Sequence, residues 1–344
     1  MIHVNAIVKN GIQTFSMLFF AIQESSEFGE HVARNLGVDV SPLEERSFED
    51  GEHKIRPLVS VRGRDVYVLH SLHGGPLESV NDKLCKLLFL IGTLRDNGAA
   101  RVTALVPYLA YSRKDRQTKT RDPITTRYVA RLFEAAGVDC VVTLDVHNIV
   151  AFQNAFRSRT VHLDTRRLFA GELGKLVGSG PIAVISPDPG GVKRAQLFRE
   201  MLEKTLSLPV GQAFVDKRRS AGTVSGELLV GDVAKATVVV IDDLIASGGT
   251  MVRAARTALQ HGAKGVIACA AHGLFTGEAK SLLAAAPLQN IVVTDSVPAF
   301  RLDAEFAATH VKTVSAAPLF ADCIKCLHSG SSISQLLGEE NETT

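Results

Sequence analysis

The densest concentration of chemistry-bearing residues spans 237–250, Thr-Val-Val-Val-Ile-Asp-Asp-Leu-Ile-Ala-Ser-Gly-Gly-Thr. An apolar run, Thr237–Ile241, ends in Asp242 and Asp243, and Ser247-Gly248-Gly249-Thr250 then precedes a helical pattern. Glycines let backbone N–H groups close on an anion, and a helix start favours phosphate. Two carboxylates repel a phosphate, so Asp242 and Asp243 suit sugar hydroxyls, or a metal lying beside the phosphate. In a parallel sheet such a site belongs beyond the carboxyl ends of the strands. Ordinary solvated strand-end acids are the weaker alternative, given two adjacent acids and Ser-Gly-Gly-Thr.

Other segments carry charge in patterns worth weighing. Arg113, Lys114, Arg116, Lys119, Arg121 and Arg127 gather after the run Val102–Val106, opposed only by Asp115 and Asp122. Such a cluster suits a polyphosphate, whose transfer relies on positioning and charge stabilisation. A solvated basic face is the alternative. Asp122-Pro123 reads as a helix N-cap with proline at the first helical position. Asp145 and His147 follow the run Val141–Leu144, and an extended backbone would put both on one face. Asp188 sits in Ser-Pro-Asp-Pro-Gly-Gly, where prolines and glycines impose a defined turn. Taken alone it is a turn Asp. Phe48, Asp50 and Glu52 combine an aromatic with acids, suited to stacking a base and reading its amino group; by themselves they read as a hairpin turn. Asp216-Lys217-Arg218-Arg219 precedes a flexible Ser-Ala-Gly-Thr stretch and reads, alone, as a solvated basic turn.

The scaffold that must position these residues is legible too. Nearly all-apolar runs recur at Asp65–Leu69, Val102–Val106, Val141–Leu144, Ile182–Ile185, Thr237–Ile241, Val266–Ala270 and Ile291–Thr294. They read as strands buried on both faces. Amphipathic stretches Asn81–Asp96, Thr125–Ala136, Gly191–Glu203 and Met251–His261 lie between them, which predicts βαβ units and parallel sheets. The pattern also looks duplicated: Gly98-Ala99 ahead of Val102 matches Gly262-Ala263 ahead of Val266. Glycine after a helix suits a left-handed cap. The first half keeps Gly74-Gly75 but has His70 and Ser71 where the acids would stand, so only the second half keeps a ribose-phosphate type of site.

The expected fold class is therefore α/β, two similar domains, each a mainly parallel sheet flanked by helices. The predicted domains are 17–162, completed by 313–337, and 163–312. Ala317–Leu337 reads as helical, Gly338–Thr344 as an acidic frayed end, and the first sixteen residues show no pattern. The length of 344 residues itself suggests two domains. With 46% hydrophobic and 22% charged residues the composition is that of a globular protein, and a net charge of +2 weighs against a nucleic-acid partner. No apolar run is long enough to span a bilayer, and none reads as a signal peptide. Five scattered cysteines suggest a reducing, cytoplasmic setting, and Cys323-x-x-Cys326 reads as two helix residues rather than a metal or redox site.

The 237–250 loop resembles the 5-phosphoribosyl diphosphate loop of phosphoribosyltransferases and of ribose-phosphate diphosphokinases. Phe48-Glu-Asp-Gly-Glu52, Tyr111-Ser-Arg113-Lys-Asp-Arg116, Lys119–Ile124, Asp145-Val-His147, Ser186–Gly191, Asp216–Arg219, His272-Gly-Leu-Phe275 and Thr294–Pro298 fall in the order of the ribose-phosphate diphosphokinase family, over about Met17–Leu337. The resemblance implies magnesium-dependent transfer of the diphosphoryl group of ATP to the 1-hydroxyl of ribose 5-phosphate. It implies ATP binding by Arg113, with Lys114 (where the family usually has Gln) and Asp115 beside it, by His147, and by Phe48, Asp50 and Glu52 reaching a neighbouring subunit. It assigns Asp188, Asp242, Asp243, Ser247, Gly248, Gly249 and Thr250 to ribose 5-phosphate. His147 and Asp188 are the implied Mg2+ contacts, His147 acting mainly through water or ATP, since imidazole is an unusual magnesium ligand. Lys217 and Arg218 become catalytic residues of a mobile lid. A homo-oligomer, dimers assembled into a hexamer, is implied as well. Ala246, where synthetases commonly carry Asp, keeps open a phosphoribosyltransferase. A non-catalytic regulatory homologue is the third alternative.

Overall fold

The computed structural model describes residues 16–220, 223–334 and 336, with the backbone at 8–9 and 12–13; for 217–220 and 223–227 it describes backbone alone. The chain divides into two compact units, Met1–Leu163 with Ala317–Thr344, and Asp164–Ala316. The frayed-end expectation for Gly338–Thr344 and the patternless start lie outside the described residues, apart from a small antiparallel pair, β1 (Val8–Lys9) and β2 (Ile12–Gln13).

The first unit continues with β3 (Met17–Ala21), α1 (Ser26–Leu36), β4 (Leu43–Ser47), β5 (His53–Pro57), β6 (Asp65–Leu69), α2 (Val80–Asp96), β7 (Arg101–Val106), α3 (Thr125–Ala135), β8 (Cys140–Leu144), α4 (Ile149–Ala155) and β9 (Arg159–Leu163). β3, β6, β7, β8 and β9 pair in that order, all parallel. β6 and β8 are buried along their whole length, which is why their sequences show no polar alternation. A reciprocal cap starts α2: Asp82 N–H donates to Ser79 Oγ and Ser79 N–H donates to Asp82 Oδ2. Leu87 and Ile91 of α2 then pack with Val66, Val68, Val102 and Ala104 of the sheet.

The second unit contains α5 (Arg166–Leu173), β10 (Ile182–Ser186), α6 (Val192–Leu206), β11 (Val210–Ser220), β12 (Thr223–Val230), β13 (Thr237–Ile245), α7 (Gly249–Gln260), β14 (Gly265–Gly273), α8 (Ala279–Ala284), β15 (Asn290–Thr294), α9 (Ala304–His310) and β16 (Val311–Val314). Its sheet has the order β12-β11-β10-β13-β14-β15-β16, parallel except for β12 against β11. The duplication is visible in topology. β3-β6-β7-β8-β9 in one unit matches β10-β13-β14-β15-β16 in the other, and each unit inserts an antiparallel hairpin, β4–β5 or β11–β12, between its first two parallel strands. Gly98 and Gly262 follow α2 and α7 at φ +83° and +87°, the left-handed geometry that ends a helix at low cost.

The chain then returns to the first unit with α10 (Ala317–Ser329). The return starts at Ala317 rather than 313 because Val311–Val314 is an edge strand of the second sheet. Phe320 of α10 meets Phe28 of α1 edge-on at 5.6 Å. Arg101 donates to Asp65 Oδ1 at 2.7 Å and to the Leu327 carbonyl at 2.9 Å, while His328 Nδ1 lies 2.7 Å from Asp65 Oδ2. The helix predicted to Leu337 stops at Ser329, because Gly330 turns left-handed at φ +72°. Cys323 and Cys326 lie within α10, and all five cysteines are free thiols. Among the described residues no helix is long and apolar enough to cross a membrane.

Candidate active site

In the second unit β13 runs on to Ile245, so Asp242 and Asp243 lie inside the strand rather than after it. Asp242 is paired in register with Ala270 of β14. Arg194, in the first turn of α6, puts Nη1 3.1 Å from Asp242 Oδ1 and 3.5 Å from Asp243 Oδ1. The Asp243 N–H also donates to Asp242 Oδ1 at 2.9 Å. Burial pushes the pKa of Asp242 up, the Asp243 charge pushes it further, and Arg194 opposes both. The acids are thus an adjacent pair held by one guanidinium, with oxygens suited to accept hydroxyl hydrogens.

The loop beyond them has the shape of an anion site. Gly248 is left-handed at φ +80°, and a Cβ there would meet Leu283 at 2.9 Å. α7 starts at Gly249 with no side chain capping it, so its first-turn amides are not claimed by a cap. Arg253 adds a cation on the same turn, donating to Thr250 Oγ1 at 3.3 Å. The loop is braced by the segment just after β14: Leu274 and Phe275 N–H donate to the Ile245 carbonyl at 2.9 and 3.1 Å, and Thr276 N–H to the Ala246 carbonyl at 2.9 Å. The His272–Phe275 motif therefore has a structural task. Asp188 accepts from the Gly191 N–H at 3.1 Å, so its carboxylate does close the turn that its neighbours predict.

Lys217 and Arg218 fall on β11, paired with Glu227 and Gly226, so their backbone belongs to a hairpin rather than an open basic turn. The ladder slips between Arg218 and Arg219. Their side chains lie outside the described residues.

In the first unit, Phe48–Glu52 is the tip of the β4–β5 hairpin. The Phe48 N–H donates to the Glu52 carbonyl at 2.8 Å, and the Glu52 N–H to Asp50 Oδ1 at 3.1 Å. Phe48 is 41% exposed, with the Arg46 guanidinium 5.0 Å from its ring centroid. Phe48, Glu49, Asp50 and Glu52 line a concavity of about 490 Å3. Glu44 staples the hairpin through Lys54 and Arg56, and those cations hold its carboxyl below the usual range.

The basic segment between β7 and α3 departs from expectation. Asp122 is not the cap of α3; Ile124 holds that position without a side-chain bond. Asp122 instead takes an ion pair from Lys114 at 2.8 Å and accepts from Thr118 and Lys119. These bonds, Lys114 first, hold its pKa well below the ordinary value. Lys114 thus braces the segment, while Arg113 is exposed. Asp115 Oδ2 accepts from Asn148 Nδ2 at 2.7 Å, which brings it beside the residue following His147. Asp145 is not extended: its φ is +37°, a left-handed turn that Asp tolerates better than most residues. The one-face expectation for Asp145 and His147 therefore fails. Asp145 lies 4.0 Å from His162, whose Nε2 accepts the Val146 N–H at 3.2 Å, and His147 is exposed.

For magnesium the donor chemistry fits. The ion prefers oxygen and is commonly held by one or two carboxylates, water and substrate phosphates. In the second unit Asp188 offers a carboxylate at a half-buried turn; in the first unit His147 is exposed. Among the described residues no group of three or more His, Cys, Asp or Glu is gathered to hold a metal. Arg194, Arg253, Asn148 and Arg46 were not foreseen. The signal for Arg194 was its place three residues after Gly191, one helical turn in, in a chain whose adjacent acids require a cation.

Comparison with known proteins bears on the whole chain. The N-terminal domain of ribose phosphate pyrophosphokinase matches residues 17–137, and the phosphoribosyl synthetase-associated domain matches 225–338. The chain is 36% identical over 324 residues to the ribose-phosphate pyrophosphokinase of Caldanaerobacter subterraneus subsp. tengcongensis, covering 94% of this chain and 98% of that one. It is 35% identical over 322 residues to that of Mycoplasma pneumoniae, covering 92% and 94%. The crystal structure of phosphoribosylpyrophosphate synthetase from Mycobacterium smegmatis superposes with a TM-score of 0.82 at 32% identity, covering 92% of this chain and 100% of that one. With both sheets, the hairpin of each unit and the acid-glycine loop in the matched span, the chain belongs to the ribose-phosphate pyrophosphokinase family of enzymes.

Proposed function

We propose that this enzyme transfers the diphosphoryl group of ATP to the 1-hydroxyl of ribose 5-phosphate, giving 5-phosphoribosyl diphosphate and AMP. The observation that carries this is the Asp242–Asp243 pair beside the uncapped start of α7, in a chain of this family. The amides of Ser247–Thr250 and Arg253 hold the 5-phosphate. Asp242 and Asp243 accept ribose hydroxyls, and Arg194 beside both opposes the rise in the Asp242 pKa. Phe48 stacks adenine, with Asp50 and Glu52 reading its amino group, in the site of a neighbouring subunit of a homo-oligomer, dimers assembled into a hexamer. Arg113 binds the polyphosphate, and Asp115 and His147 line the same segment. Lys217 and Arg218 stabilise charge developing on the oxygen that leaves with AMP. Asp188 and, through water, His147 are the residues that would contact Mg2+, which when bound would supply charge neutralisation at polyphosphate oxygens.

Purified protein given ATP and ribose 5-phosphate, with magnesium or with a chelator, tests this directly. AMP and a sugar diphosphate in equal amounts, only with magnesium, support it. Nucleotide formed from 5-phosphoribosyl diphosphate and a free base would favour the transferase that Ala246 keeps open. No turnover by a folded protein would favour a regulatory homologue.

A further inference from the structure

The first unit's counterpart of the phosphate-type loop, between β6 and α2, keeps Gly74 and Gly75, but the chain itself fills it. Glu24 lies in the short turn Gln23–Ser25 ahead of α1. A Cβ built on Gly75 would overlap Glu24 Oε2 and fall 2.8 Å from its Cδ. Gly75 is not among the residues with positive φ, so space, not backbone conformation, demands glycine there. Glu24 Oε1 accepts the Leu77 N–H at 2.9 Å, and Lys83 Nζ, from the first turn of α2, stands 2.7 Å from Oε2. The Lys83 side chain is 0% exposed and that of Glu24 9%.

A loop N–H, a glycine that leaves room, and a buried cation from the following helix are the components of an oxyanion site. Here the oxyanion is a carboxylate of the same chain. A buried lysine also needs a partner, since burying an uncompensated charge is costly. We infer that the glycine loop of the first unit is an oxyanion-binding site whose resident ligand is Glu24, which closes this copy of the loop to phosphate and to free carboxylates. The inference stands on the first unit alone and does not depend on the proposed reaction.

Chemical rescue in the full-length chain tests it. Glu24→Ala removes the resident carboxylate and leaves Lys83 and the Leu77 amide around a space that acetate fits. Its melting temperature should fall in sodium chloride and recover by about 2–4 °C or more in sodium acetate of equal ionic strength. Wild type and Glu24→Gln, which keeps the space filled, should melt alike in both salts. Adding Gly75→Ala to Glu24→Ala should abolish the acetate response, because the new methyl occupies the cradle. If Glu24→Ala fails to fold in chloride, the yield of folded protein in acetate is read instead, and recovery carries the same meaning. Equal behaviour of Glu24→Ala in acetate and chloride would overturn the inference, as would an acetate response that survives Gly75→Ala.

Discussion

Arg194 and Asp242 form an ion pair at 3.1 Å that joins the first turn of α6 to the last residues of β13. The same guanidinium nitrogen lies 3.5 Å from Asp243. One cation thus serves two adjacent carboxylates and opposes the rise in the Asp242 pKa that burial and the Asp243 charge cause.

Removing that cation should move a pH profile. In Arg194→Gln, Asp242 keeps its proton to higher pH, so the acid limb of kcat/KM for ribose 5-phosphate should rise by roughly one pH unit or more. Arg194→Lys should move it less. An unshifted limb in Arg194→Gln would remove Arg194 from the account.

Asp242 also makes a prediction for stability. Its folded-state pKa is raised, chiefly by burial, so the folded chain holds this proton more tightly than the unfolded chain. The resulting stability is fully present below the ordinary carboxylate pKa and is lost as pH rises through the raised value. Asp242→Asn does not titrate. It should gain on wild type with rising pH across that window, by at most about 1.4 kcal/mol per pH unit, while losing ribose 5-phosphate use. Urea midpoints between pH 5 and 9 measure this; a difference that stays constant with pH contradicts it.

Much of this was legible in the residues. β6, β8 and β10 are buried on both faces, so their apolar runs had one reading. The acid-glycine loop needed only adjacency along the chain. β4 was not seen as a strand, because Leu-Glu-Glu-Arg-Ser is mostly charged and is held by cross-strand pairs with Lys54 and Arg56. The left-handed Asp145 had no local sign, since neither glycine nor a turn dipeptide marks it. Asp122 looked like a cap, but Lys114 and two loop residues compete for its carboxylate, a contest that spacing does not reveal.

The hairpin tip at Phe48 should act across subunits if the oligomer is as proposed. Phe48→Ala and Arg113→Ala chains, each poor alone, should regain part of wild-type turnover when dissociated and reassembled together. Additive activities with no gain in the mixture, or a fully active monomer in sedimentation, would count against this arrangement.

Lys217 sits on the second hairpin, the topological counterpart of the first. If it acts mainly in the transition state, Lys217→Ala should lose about 10²–10³ in kcat, with KM for both substrates nearly unchanged. Lys264→Ala, on the loop ahead of β14, should retain normal turnover. Steady-state kinetics decide it: a Lys217→Ala enzyme keeping more than about a third of wild-type kcat falls well outside that range.

The most direct test of the central claim follows phosphorus itself. The reaction of ATP with ribose 5-phosphate, watched by phosphorus NMR, should show the β- and γ-phosphorus of ATP moving together onto the sugar as a diphosphate, with AMP appearing at the same rate. Appearance of ADP with a ribose bisphosphate carrying one new phosphoryl group, or of free diphosphate with no new sugar resonance, would contradict diphosphoryl transfer by this enzyme.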